Sequence, residues 1–188
     1  MTAAPEGYFF FRVAVKGLTG GHSGDDINKN RANANKLLDR FLVILMKQYD
    51  LRLSHIDGGN LHNAIPREAH AVCAVPMADK ENVRVALNIF LAEVENEFAV
   101  TEPNLTMELE SETPCAEVME KEAMTRFLHS LYAVHHGVYA MSQDMEGLVE
   151  TSSNLASVKM RDGKIVVVTS QRLSLIHISE PTRLRRIS

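Results

Sequence analysis

Residues 8–27, YFFFRVAVKGLTGGHSGDDI, decide the fold, because they join a strand to a helix through a glycine-rich turn. Tyr8 to Lys16 is aromatic and β-branched, a composition that packs well on a pleated surface, and Gly17, Gly20, Gly21 and Gly24 then interrupt it. From Ile27 to about Tyr49, Ala34, Leu37, Leu38, Phe41, Leu42, Leu45 and Met46 recur at intervals of three and four, which predicts an amphipathic helix. Asp25 or Asp26 is its expected cap, since a carboxylate there would accept otherwise orphaned amide protons.

Downstream, Leu51 and Leu53 alternate with Arg52 and Ser54, and Asp57-Gly58-Gly59-Asn60 supplies a turn. From Glu68 to Val75, Ala69, Ala71, Cys73 and Val75 share one face at period two, so the two segments read as antiparallel strands. Asp79 to Phe98 carries Val83, Leu87, Phe90, Leu91, Val94 and Phe98 at helical spacing, and residues 104–111 alternate Leu105, Met107 and Leu109 with polar neighbours. Strand, helix, strand, strand, helix, strand is an α+β order. It predicts a split βαβ, ferredoxin-like antiparallel sheet with two helices on one face. An additional helix from about Glu117 to Val134 is expected after it, with a β-hairpin of residues 154–160 and 164–170 around Arg161-Asp162-Gly163. The expected division is one unit over residues 1–172, with the split βαβ core at 5–111 and an extension at 112–172.

The chain has 188 residues, 45% of them apolar, which suits one domain or one and a half. No apolar run reaches the length of a spanning helix and no basic segment precedes a hydrophobic one, so neither a membrane span nor a secretory signal is visible, and the expected location is cytoplasmic. Cys73 and Cys115 read as reduced thiols in a chain with an adequate core. The last stretch, Leu173 to Ser188, reads LSLIHISEPTRLRRIS, breaks the strand pattern without turn chemistry, and resembles a translated sequencing adapter. Residues 173–188 are therefore read as a non-native tail; an edge strand with a basic tail is the alternative. Without Arg183, Arg185, Arg186 and Glu180 the net charge moves from −4 to about −6, which argues against a nucleic-acid partner. Met1 precedes a strand almost at once, and the final hairpin ends without a covering partner, so the chain is expected to be a fragment whose partner strands are missing.

Several residues invite chemistry. His22, in Gly20-Gly21-His22-Ser23-Gly24, puts an imidazole in a glycine-framed turn, where it could donate to negative charge developing on an oxygen; packing or capping is the competing reading. His22-Ser23 lacks a third triad member, and the glycine spacing lacks the Gly-Lys-Ser ending of a phosphate loop. Asn60 and Asn63, in GGNLHNAIP, could contact a substrate amide or fix their own turn. Arg172, at the end of the last strand, could clamp a carboxylate or remain solvated surface. His55, His62 and His70 flank a turn without a carboxylate at zinc-motif spacing, and His129, His135 and His136 read as structural or capping, so no metal site is expected in the chain. Glu93, Glu95 and Glu97 spread around a helix and build no paired-acid site.

GLTGGHSGDDI (17–27), RANANKLL (31–38), GGNLHNAIPREA (58–69) and GLVETSSNLA (147–156) together resemble the M20 metallopeptidase family, in its aminoacyl-histidine and cytosol nonspecific dipeptidase branch. The resemblance spans residues 5–172 and implies a lid or dimerisation domain of a dipeptidase that hydrolyses dipeptides, including Xaa-His. It implies that two divalent metals, usually zinc, sit in a catalytic domain whose HxD and paired-glutamate motifs this chain lacks, so the fragment alone is expected to be inactive. His22 matches the family's oxyanion-stabilising lid histidine. Asn63 matches the asparagine that contacts substrate, although Ala64 stands where many members have valine. Arg172 matches the arginine for the substrate carboxylate, and Glu150 falls in a branch motif whose role stays unassigned. The partners implied are a dipeptide, a catalytic domain of the same chain and a second copy of the chain. The rival reading is a non-catalytic ligand-binding or dimerisation module built from the same elements.

Overall fold

The computed structural model describes residues 1–161 and 163–173. Apart from Leu173, the tail assigned to an adapter lies outside the described residues. In chain order the elements are β1 (Thr2–Ala3), β2 (Tyr8–Lys16), β3 (Gly21–His22), α1 (Ala34–Gln48), β4 (Arg52–Gly58), β5 (Ala64–Ile65) and β6 (Ala69–Pro76). A short 3-10 turn, Met77–Asp79, leads into α2 (Lys80–Glu97), followed by β7 (Thr106–Ser111), β8 (Glu117–Val118), α3 (Lys121–Ala133), β9 (Gly137–Met141), β10 (Val149–Arg161) and β11 (Lys164–Arg172).

The four core strands lie side by side in the order β4-β6-β2-β7, each antiparallel to its neighbour, as the split βαβ reading predicts. Alternation along β2 explains the two faces. Phe9, Phe11, Val13 and Val15 join Leu38, Phe41 and Leu42 of α1 and Val83, Phe90 and Val94 of α2 in one core. Phe41 and Phe90 meet across the two helices with ring centroids 5.5 Å apart. On the other face Phe10 and Ala74 pack with Val118, brought there by the small β1–β8 ribbon. β10 and β11 extend the sheet beyond β4, and α3 packs on α1. β9 takes the near edge of β10 at Val149–Ser153, while β4 takes that edge further along, at Val158 and Lys159. Cys73 is buried, which pushes its thiol up, and both cysteines are free. Among the described residues no helix is long and apolar enough to cross a membrane.

Local physics shifts several boundaries. α1 begins at Ala34, not Ile27, and its cap is Asn33, whose side-chain oxygen accepts the Asn35 and Lys36 amides. Asp26 lies well upstream of the first helical residue, and its carboxylate accepts the His22 amide and Lys29 within the preceding loop. Ile27 leaves the helical stripe to pack with Ile65 and Val149. α3 likewise begins at Lys121, where the Glu120 carboxylate accepts the Glu122 and Ala123 amides, and Glu117–Val118 is strand instead. Periodicity misses β9, a five-residue strand of mixed exposure, and the hairpin's first strand starts at Val149, five residues earlier than Asn154.

Candidate functional site

The glycine segment after β2 is held from both sides. Glu102 is 3% exposed, and its carboxylate accepts the Thr19 amide at 2.6 Å and the Ala32 amide at 2.9 Å, so one buried anion fixes the loop before and after residues 20–31. Asp26 then accepts the His22 amide at 2.7 Å and Lys29 Nζ at 2.6 Å. These contacts, Lys29 first and the His22 amide second, hold the Asp26 carboxyl below its usual range.

So held, His22 pairs across β3–β5 with Ala64, and the Ser23 amide donates to the Asn63 carbonyl at 2.9 Å. His22 and Asn63 therefore stand on the two arms of one ribbon, and both are exposed. The Gly24 amide donates to His22 Nδ1 at 3.1 Å, an arrangement that leaves Nε2 to carry the ring proton in neutral imidazole. Arg172, at the end of β11, reaches the same spot. A Cβ added at Gly24 would lie 2.6 Å from Arg172 Nη2 and 3.1 Å from His22 Nδ1, so the guanidinium and the imidazole flank one glycine. Asp25 sits between them, 3.5 Å from His22 Nδ1 and 3.9 Å from Arg172 Nη2. An imidazole N–H donor, a guanidinium and an exposed amide within one surface suit a small molecule that bears both a carbonyl and a carboxylate.

Other candidates have local partners. Asn60 accepts from Lys159 Nζ at 2.9 Å, and the same ammonium bonds Asp57 at 2.5 Å, so Asn60 belongs to a structural ion pair. His55 and His70 approach with ring centroids 5.8 Å apart, and burial, then Arg12, holds His70 below its ordinary range. His136 is bonded to Asn33, and burial pushes it down to about 4, so it stays neutral. Among the described residues no group of three or more His, Cys, Asp and Glu is arranged to hold a metal ion.

Sequence reasoning passed over Asn33, Glu102 and Asn154, all nearly inaccessible. Their signal was a polar residue at an inward position: Asn33 in RANAN and Asn154 in TSSN. Beneath the ribbon Asn154 Nδ2 donates to the Ala64 carbonyl at 2.8 Å, and Asn33 Nδ2 donates to the Leu155 carbonyl at 2.9 Å.

Residues 13–102 match the peptidase dimerisation domain of the M20 family. The cytosol non-specific dipeptidase of Escherichia coli (strain K12) is 41% identical over 166 residues, covering 88% of this chain and 34% of that protein. The crystal structure of aminoacylhistidine dipeptidase from Vibrio alginolyticus superposes with a TM-score of 0.86 at 36% identity, over 89% of this chain and 34% of that one. The chain thus spans about a third of the length of each relative.

Proposed function

Because this chain belongs to the M20 peptidase family, through the dimerisation domain at residues 13–102, we propose that it forms the substrate-facing lid of a metal-dependent dipeptidase. The observation that carries this reading is the meeting of His22 and Arg172 at Gly24, on a ribbon that also bears Asn63. His22 Nε2–H donates to the scissile carbonyl oxygen as it gains negative charge, Asn63 orients the peptide, and the Arg172 guanidinium takes the C-terminal carboxylate. Dipeptides, Xaa-His among them, are the substrates, and the relatives' names agree with that class.

The described residues do not fit a metal centre. Two divalent ions, zinc by the family resemblance, would be held by a catalytic domain elsewhere in the protein, and the present residues bind, orient and hold a proton. On this reading the 188-residue chain alone should not hydrolyse dipeptides. The relative's cytosolic name supports a cytoplasmic location, and the dimerisation-domain match supports pairing with a second copy. The test is His22→Ala in a full-length protein carrying this lid: turnover falls while KM changes little. Unchanged turnover overturns the reading.

A further inference from the structure

The His22 ribbon is small. β3 and β5 are two residues each and form a sheet of their own, too short to hold a fixed position unaided. Its bonds to the rest of the fold therefore determine where His22 stands. One comes from Asn154, 1% exposed in the interior of β10, whose Nδ2 donates to the Ala64 carbonyl at 2.8 Å. Ala64 is the cross-strand partner of His22.

β10 does not need that side chain for its own pairing, since its backbone is matched to β11 from Ser152 to Leu155 and, past a bulge at Ala156, from Ser157 to Arg161. Burying an amide is costly unless its polar atoms find partners, and the partners of Asn154 lie off the strand. Its Oδ1 is 3.5 Å from Asn33 Nδ2, which also donates to the Leu155 carbonyl and meets His136 Nδ1 at 3.2 Å. Asn33 Oδ1 meanwhile caps α1. The start of α1, the middle of β10 and the ribbon thus meet at two buried asparagines. On the far side Arg172 is the β11 residue opposite Ser152, two positions along β10 from Asn154. One stretch of β10 therefore sets both groups of the site: it pairs with the strand that carries Arg172, and it bonds the ribbon that carries His22.

We infer that Asn154 is a positioning residue, whose amide fixes Ala64 and thereby sets the His22 imidazole relative to Arg172. The inference rests on the reading of His22 as the oxyanion donor. It is tested with Asn154→Leu, which keeps the side-chain size and removes the amide, and with Asn154→Asp, which keeps an acceptor but loses the donor. In the 188-residue chain, hydrogen exchange should lose about tenfold protection at the Ser23 and ribbon amides, with α2 amides unchanged. A uniform loss across both, or no loss at the ribbon, overturns the inference. In the full-length enzyme, Asn154→Leu should lower turnover about tenfold with little change in KM, and should cost almost nothing more once His22→Ala is present. An equal cost in both backgrounds overturns the coupling. If His22→Ala itself leaves turnover intact, the lid reading fails, while hydrogen exchange still decides whether Asn154 tethers the ribbon.

Discussion

Asp39 is in α1 with no exposed surface, and among the described residues neither carboxylate oxygen has a hydrogen-bond partner. Burial pushes its carboxyl from 3.8 up to about 7, opposed in part by Lys36. The difference between 3.8 and about 7 corresponds to roughly 4 kcal/mol between the charged and neutral forms. The sign follows from proton binding. The unfolded chain releases this proton near 3.8 while the folded chain keeps it until about 7, so the stability associated with neutral Asp39 is complete below 3.8, declines between the two values, and is gone above about 7. Asp39→Asn keeps the shape and cannot ionise. Urea unfolding of the 188-residue chain, followed by circular dichroism, should give nearly equal stabilities for wild type and variant in acid. The variant should gain progressively, reaching an advantage of up to about 4 kcal/mol near pH 8. Taking the difference between the two profiles removes the opposite contributions of Asp26 and Asp50, whose lowered carboxyls cost stability as pH falls. Parallel profiles, or a wild type more stable than the variant near pH 8, would show that burial does not keep Asp39 protonated.

Gly24→Ala adds a methyl 2.6 Å from Arg172 Nη2 without demanding a left-handed backbone. Thermal unfolding should therefore move by less than about 0.5 kcal/mol, because the guanidinium can swing aside, while kcat/KM of a full-length enzyme falls about tenfold. Asn33→Ala removes the cap of α1 and the bond to the Leu155 carbonyl together. It should cost about 2–3 kcal/mol in urea unfolding. A loss below 0.5 kcal/mol would show that the cap is dispensable.

The architecture was legible wherever periodicity was strong. The aromatic and β-branched run of β2, the stripe Val83-Leu87-Phe90-Val94 of α2, and the alternation in β6 each placed an element within a residue or two. Helix starts were less legible because a cap is chosen by competition. Asp26 and Asn33 are both good capping types, but Asn33 stands directly before the first helical residue, whereas Asp26 holds the His22 amide and Lys29 in the preceding loop. β9 was hidden because its backbone pairs with a β10 segment that departs from regular register twice, leaving no clean alternation to read. His22, Asn63 and Arg172 were nominated from residue type, turn position and family resemblance, but their spatial relation was not legible. Arg172 lies far along the chain from Gly24, and only the pairing of β10 with β11 brings it there. Asn154 and Asn33 were overlooked for a related reason: a polar residue within a strand or before a helix gains meaning only once its bonding partner is known.

If this chain is the lid of a dipeptidase, the His22 N–H reaches the oxygen on which negative charge develops. It is tested most directly by a crystal structure of a full-length enzyme carrying this lid, bound to a phosphinate analogue of the tetrahedral intermediate. His22 Nε2 should then lie about 3 Å from a phosphinate oxygen, in its own or a partner's active site, with the Arg172 guanidinium on the terminal carboxylate. An imidazole out of hydrogen-bond reach of the analogue in every closed copy would contradict it.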